Sequence, residues 1–190
     1  MLRWVYKSGT FLQFAIFAVI LVLTWLPAFV HPVMPAISQF DGPLYSHLVI
    51  TIGRFPILSV SVALALVIIQ AFILFYVFQA NGFFKRTNFL PAIIILLAYS
   101  WNIHYQTLHA MLPAGIMLII SLNAIMKMYG RQAAFHQVFT AAFSTGIAAL
   151  FYIPLAYLLV MIWLSLITYR VSSWRDYAVS LVGFTVPVIY

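Results

Sequence analysis

Acidic side chains and cysteine are nearly or wholly missing from this chain of 190 residues, which has no cysteine, no glutamate and only Asp41 and Asp176 as acids. Without cysteine there can be no disulfide, thiolate zinc site, iron–sulfur cluster or cysteine nucleophile. Charged residues make up 6% of the chain, whereas an ordinary soluble domain has about 25%. Together with repeated apolar runs of about 18 residues or more, this excludes a soluble enzyme, a coiled coil and a disordered chain.

Hydrophobic residues fill the rest of the sequence, at 66% of the total. Their runs predict an all-α, polytopic transmembrane bundle of about seven spans, treated as a single transmembrane domain over residues 1–190. The predicted spans cover about 11–30, 56–78, 89–101, 111–126, a hairpin within 132–170 that turns near Tyr152-Ile153-Pro154, and a last run after Asp176. Because that run stops at Tyr190, inside a predicted helix, we expect the chain to be the N-terminal part of a longer protein; the alternative is a terminus that a partner covers.

The connections carry their own signals. Residues 31–47 are polar and rich in proline, with a turn at Asp41-Gly42-Pro43. Asn88 is predicted to cap the third span, where Pro91 is tolerated in the first turn. This third segment is short enough that it either tilts little, thins the bilayer locally or enters without crossing fully.

The basic residues predict the orientation. Lys and Arg concentrate in cytoplasmic loops near span ends, and an N-terminus in the cytoplasm places eight of the nine on that side, leaving only Arg54 outside. The eight are Arg3, Lys7, Lys85, Arg86, Lys127, Arg131, Arg170 and Arg175. They form no stripe or cluster, so the formal net charge of +7 indicates orientation in a lipid bilayer and does not indicate a nucleic-acid partner.

The predicted outer face holds the candidate chemistry. Asp41 is the only carboxylate there and a weak catalytic candidate; an Asx turn ahead of Gly42 is the structural alternative. Weak ligand-binding candidates are Arg54, His47, His104 and His109, with His31 nearby in sequence. His104 and His109 are five residues apart and do not share a helical face, so we predict no metal site, and no motif indicates a cofactor. Asp176 is expected to form a local ion pair or helix cap in an exposed turn.

Inside the membrane, Gln70 is predicted to face another helix, since a buried amide is costly in lipid. No acidic residue is expected inside any span, which argues against a proton- or sodium-coupled transporter. Ala142 and Gly146 belong to a ridge of small residues in the fifth span and predict close packing of two helices, either within the chain or against a partner.

Three segments carry a resemblance to a known family: 85–91 (KRTNFLP), 146–154 (GIAALFYIP) and 169–176 (YRVSSWRD), followed by Gly183 and Pro187. They resemble an uncharacterised multi-pass inner-membrane family of Bacteroidota, a domain of unknown function, over about residues 81–190. The resemblance implies a protein about half as long again and supplies no activity or catalytic residue.

A weaker, architectural likeness is to multi-spanning glycosyltransferases that use lipid-linked sugars. Those proteins begin with a cytoplasmic N-terminus, one span and an outer loop with an acidic residue, the place that Asp41 occupies here. This chain departs from them in its short outer loop, which lacks a second acid.

The sequence therefore favours a bacterial inner-membrane subunit or scaffold of a larger assembly, with the bilayer and other membrane subunits as partners. Whether it is an enzyme stays open, with the balance against. The alternatives are an enzyme that uses a polyprenyl-phosphate-linked sugar through Asp41, and a carrier of a small molecule or lipid.

Overall fold

The computed structural model describes residues 10–84, 88–101, 103–129, 134–169 and 173–189. Within these ranges the regular structure is helical, and no β-strand occurs. The α-helices are α1 (Thr10–Val30), α2 (Pro43–Ile52), α3 (Pro56–Ala80), α4 (Leu90–Ser100), α5 (Met111–Met126), α6 (Phe135–Phe151), α7 (Leu158–Thr168) and α8 (Trp174–Ile189). Short 3-10 helices cover Ile103–Gln106 and Ile153–Tyr157. The predicted all-α class is confirmed.

Two helices are long and apolar enough to cross a membrane: Leu12–Val30 within α1, and α3 with its 25 residues. At 1.5 Å per residue α3 is about 38 Å long, more than the roughly 30 Å of a hydrocarbon core. The other apolar helices have 10–17 residues. Length and composition thus identify two membrane-length helices, and the count of seven spans stays a prediction.

The chain divides into two compact units, of which the first comprises Met1–Ala36 and Val49–Leu112. In it α1, α3 and α4 pack together around Phe89, whose ring centroid lies 4.6 Å from that of Phe75 and 5.6 Å from that of Phe17. The Gln13 side chain reaches over to accept the Phe89 amide hydrogen at 2.8 Å. An amide side chain in an apolar helix is thus used to satisfy the unpaired N–H at the start of α4.

The second unit comprises Ile37–Leu48 and Pro113–Tyr190. Its core is formed by α5, α6, α7 and α8, with Val138, Ala142, Ile162 and Leu166 fully buried. Ser121 of α5 donates to the Ala141 carbonyl at 3.0 Å and lies 2.9 Å from the Thr145 hydroxyl of α6. Small side chains on α6 therefore permit both close packing and hydrogen bonds between helices.

The segment from α6 to α7 reverses direction, as predicted. The ring of Tyr129, ahead of α6, lies 5.6 Å from that of Tyr169, which follows α7. The two ends of the segment therefore lie close together. The reversal occurs through the 3-10 helix that begins at Ile153, followed at once by Pro154, which cannot donate a backbone hydrogen bond.

The structure refines or corrects three local predictions. The connection 31–47, for which the sequence predicts a turn at Asp41-Gly42-Pro43, also contains the start of α2 at Pro43, where proline suits a first helical turn. The N-cap of α4 is Phe89, although the Asn88 side chain still accepts the Leu90 amide hydrogen at 3.1 Å. Asp176 is not in an exposed turn: it lies in the first turn of α8 and is 3% exposed.

Ser173 explains the placement of Asp176. The Ser173 amide and hydroxyl both donate to Asp176 Oδ2, at 2.9 and 2.8 Å, and the Asp176 amide donates back to the Ser173 carbonyl at 3.0 Å. The Asp176 carboxylate thus bonds back to the Ser173 amide ahead of the helix, which is one half of a capping box, and the helix starts before the apolar run begins. The predicted cap is present, and Asp176 belongs to the first turn of α8, which is not one of the two membrane-length helices.

Candidate functional site

Asp41, the catalytic candidate of the sequence, holds a turn together. Its side-chain Oδ2 accepts the Ser38 amide hydrogen at 2.6 Å, and its own amide donates to the Ser38 carbonyl at 3.1 Å. Charge-assisted bonds of this kind are short and are roughly twice as strong as neutral ones. At least one carboxylate oxygen is therefore engaged by the backbone of the turn.

The same turn is attached to the end of α6. Asp41 forms an isolated β-bridge with Tyr152, the Gly42 amide donates to the Phe151 carbonyl at 2.8 Å, and the Ile153 amide donates to the Phe40 carbonyl at 3.0 Å. A Cβ at Gly42 would lie 2.0 Å from the Leu150 carbonyl oxygen, so no other residue fits there without moving the backbone. The Asp41-Gly42 pair thus anchors the turn within the second unit.

Tyr45 lies beside this turn and is fully buried in α2. Burial raises the pKa of the Tyr45 phenol above its usual range, and the negative charge of Asp41 raises it further. The phenol is therefore neutral at physiological pH. The arrangement is a carboxylate bound to a backbone turn next to a neutral phenol.

The other outer-face candidates are scattered. His31, His47 and Arg54 are exposed, and His47 and Arg54 belong to different compact units. The backbone of His104 lies in the 3-10 helix Ile103–Gln106, and its side chain lies outside the described structure. Among the described residues, no group of three or more His, Cys, Asp or Glu could hold a metal ion.

His109 is the exception, because the structure brings it together with two tyrosines. Its ring centroid lies 5.8 Å from that of Tyr99 and 6.2 Å from that of Tyr105. With Ala98 and Met111, these three residues line an open hollow of about 260 Å³ in the first unit. His109 Nδ1 is 2.9 Å from the Thr107 carbonyl oxygen, and since a carbonyl only accepts, this nitrogen carries a hydrogen.

Gln70 supports one wall of this hollow. It is 1% exposed, and its Nε2 donates to the Leu112 carbonyl. The same side chain hydrogen-bonds to Tyr99. The sequence does not single out Tyr99 or Tyr105 as candidate site residues. Their proximity depends on the path of the chain between α4 and α5, and neither helical nor strand periodicity predicts that path.

Ala142 and Gly146 lie at the contact between α6 and α8. A Cβ at Gly146 would lie 2.6 Å from both the Phe184 carbonyl oxygen and Pro187 Cγ. A Cβ at Gly183 would lie 3.1 Å from that of Ala142. The small residues of α6 are therefore used for packing within this chain.

The comparisons with known proteins give no further guidance: no family model, curated protein or solved structure matches this chain.

Proposed function

We propose that the chain is a multi-pass protein of a bacterial inner membrane, with a cytoplasmic N-terminus, that serves as a subunit or scaffold of a larger membrane assembly. The observation that carries this proposal is the exposure of its most apolar helices. Only 22% of the apolar stretch of α1 and 33% of that of α3 are buried. The apolar core helix of a soluble protein is buried instead, because water disfavours contact with hydrocarbon.

Individual side chains illustrate this surface. Leu23 and Leu26 of α1 are 69% and 62% exposed, and Leu58 and Ile69 of α3 are 46% exposed. Full burial of one such side chain is worth about 1.5–3 kcal/mol. A helix that left many of them in water would give up a large part of the stability of a small protein, whereas lipid accommodates them without cost.

The shorter helices belong to the same proposal. With 16 and 17 residues, α5 and α6 reach about 24–26 Å. A bilayer accommodates helices of that length by local thinning, at a cost of fractions of a kcal/mol per Å of mismatch.

A scaffold is favoured over an enzyme because both carboxylates and several hydroxyls of the described residues form hydrogen bonds within the fold. The Asp41 carboxylate holds a turn, that of Asp176 caps α8, and the Ser121 and Thr145 hydroxyls join two helices. Apolar side chains on α7 and α8, by contrast, are exposed at Leu164 and Val182. In the proposed assembly these surfaces contact lipid and neighbouring helical subunits.

Membrane integration can be tested with a matched pair of charge substitutions. Leu23→Arg places a cation on the exposed face of α1, where insertion scales assign a cost of about 2.5–3.5 kcal/mol. Gln39→Arg adds the same charge in an exposed connection. After an alkaline carbonate wash, wild type and Gln39→Arg should remain in the membrane fraction, and the yield of Leu23→Arg should fall. A wild-type chain released by carbonate, or a Leu23→Arg variant that is more soluble and equally abundant, would contradict integration.

The assembly itself is tested by purification of the full chain in a mild detergent, followed by identification of the proteins that co-elute in fixed ratio. We expect at least one other multi-pass protein. Elution as a lone chain from native membranes would contradict the scaffold function while leaving membrane integration untouched.

A further inference from the structure

The hollow lined by Ala98, Tyr99, Tyr105, His109 and Met111 is defined here as the tyrosine hollow, and we propose that it binds the ring of an isoprenoid quinone. Its volume is about 260 Å³. A cavity of about 150 Å³ holds benzene, so the tyrosine hollow has room for a substituted or fused ring. This binding site goes beyond the scaffold function and does not depend on it.

The lining selects for a neutral ligand. None of the five residues is an acid, a lysine or an arginine. A phosphate head group would need cationic partners, and an amine would need a carboxylate. The walls are instead aromatic rings and apolar side chains, which favour a flat ring by stacking and by burial of apolar area.

The hydroxyls of Tyr99 and Tyr105 favour a ring that carries hydrogen-bond acceptors. Gln70 Nε2 donates to the Leu112 carbonyl, and Gln70 also bonds to Tyr99. Among the described residues Gln70 Oε1 has no hydrogen-bond partner, so the Tyr99 hydroxyl does not donate to it and its hydrogen is available to a ligand. Tyr105, half exposed at 51%, supplies a second hydroxyl donor. The lining thus contains two phenols, and a phenol hydroxyl can donate to each of the two carbonyl oxygens of a quinone ring.

The surface around the tyrosine hollow can accommodate an isoprenoid tail. The hollow is open and lies where the C-terminal end of α4 and the first residue of α5 meet, and both helices are apolar. Leu97 of α4 is 46% exposed. A prenyl chain leaving the hollow can therefore continue along apolar surface. His109, whose Nδ1–H is directed to the Thr107 carbonyl, forms a wall of defined orientation between the two tyrosines.

The test is calorimetric titration of the purified full chain, in detergent micelles, with a naphthoquinone that carries two prenyl units. Empty micelles provide the baseline. Because the chain has no cysteine, addition of a thiol to the quinone cannot imitate binding. Geraniol, the matching two-unit prenyl alcohol without a ring, separates recognition of the ring from partition of the tail.

We expect saturable binding of the quinone and at most weak binding of geraniol. Tyr99→Phe and Tyr105→Phe each remove one hydroxyl and should weaken binding about two- to tenfold, the usual effect of one hydrogen bond. Tyr157→Phe removes the same atom from a tyrosine that is 78% exposed in the second unit, and it should bind as wild type does. Ala98→Trp should fill the hollow and abolish saturable binding.

Circular dichroism and thermal unfolding identify any variant that fails to fold, and the two tyrosine variants decide the question if Ala98→Trp does. The proposal is overturned if the wild type shows no saturable binding, if geraniol binds as tightly as the quinone, or if both tyrosine variants keep wild-type affinity.

Discussion

The carboxylate of Asp41 accepts the Ser38 amide hydrogen at 2.6 Å, in a turn that is bonded to the end of α6. Asp41→Asn keeps an acceptor oxygen and removes the charge, so it separates structure from chemistry. We expect an unfolding free energy within about 1 kcal/mol of wild type, since one hydrogen bond is weakened and not lost, together with normal assembly and full complementation of a deletion strain.

Asp41→Ala is the control for this prediction, because it removes the acceptor as well and should be less stable than Asp41→Asn. The enzyme that uses a polyprenyl-phosphate-linked sugar predicts otherwise. An Asp41→Asn variant that assembles normally but fails to complement would favour that enzyme over the scaffold.

Tyr45 makes the stability of the fold depend on pH in the alkaline range. Burial and then the charge of Asp41 raise the pKa of its phenol, so the folded state holds this proton more tightly than the unfolded state does. The stabilisation is complete below the unfolded pKa of about 10 and is lost as the pH rises through the folded value.

Thermal unfolding in detergent should therefore show a loss of stability above about pH 10 that is smaller in Tyr45→Phe, which cannot ionise. Tyr157→Phe, at an exposed position, is the matched control and should behave as wild type. Equal alkaline losses in Tyr45→Phe and wild type would show that another group is responsible.

Asp176 shows what can be predicted for a single residue and what cannot. The spacing of Ser173 and Asp176 is visible in the sequence and indicates a helix cap. The 3% exposure of Asp176 results from the packing of α8, which local spacing does not specify. The other buried carboxylate oxygen, Oδ1, has no hydrogen-bond partner, a cost that a sequence pattern does not reveal.

At the scale of elements, the long apolar runs predict α1, α3, α4 and α5 to within two residues, because proline and polar residues mark their ends. The exception is α2, which no sequence pattern predicts. Its ten residues follow a turn signal and are too short for a span, so neither the turn pattern nor the hydropathy pattern detects it. Attachment of Gly42 to Phe151 is a contact distant in sequence and could not be predicted from local patterns.

The contact of α6 with α8 predicts a graded response at Gly146. A Cβ there would lie 2.6 Å from the Phe184 carbonyl oxygen, so Gly146→Ala forces a shift and Gly146→Leu a larger one. Overpacking typically costs about 1–3 kcal/mol, and we expect Gly146→Leu to fall in that range by unfolding in detergent.

Thr185→Leu is the matched control for Gly146→Leu, because it adds a leucine to the exposed side of α8, where the threonine hydroxyl bonds only within its own helix. It should unfold close to wild type. If Gly146→Leu were as stable as Thr185→Leu, the close approach of α6 and α8 would be wrong.

At the scale of the whole molecule, periodicity and charge predict an all-α chain and an orientation, whereas the tyrosine hollow depends on contacts that no periodic pattern contains. The orientation rests on the basic residues. Arg3, Lys7, Lys85, Arg86, Arg131 and Arg170 lie outside the described residues, so an experiment has to establish the side on which each segment lies.

The helices between Ser38 and Thr87 allow a sharp test of that orientation. They are α2, with 10 residues, and α3, with 25. A helix of 10 residues is about 15 Å long and cannot cross a core of roughly 30 Å, whereas α3 can. Because one crossing separates them, Ser38 and Thr87 should lie on opposite sides of the membrane. With no native cysteine, a single cysteine at either position is labelled without background.

An impermeant thiol reagent added to intact spheroplasts should label Ser38→Cys and spare both Thr87→Cys and Ser8→Cys, which should react only after the membrane is permeabilised. This expectation follows from Lys and Arg near Thr87 and Ser8, since cations are retained on the cytoplasmic side. Labelling of Thr87→Cys with protection of Ser38→Cys would invert the topology. Labelling of both would show that α3 does not cross, and the exposed apolar surface of that helix would then have to be covered by protein instead of lipid.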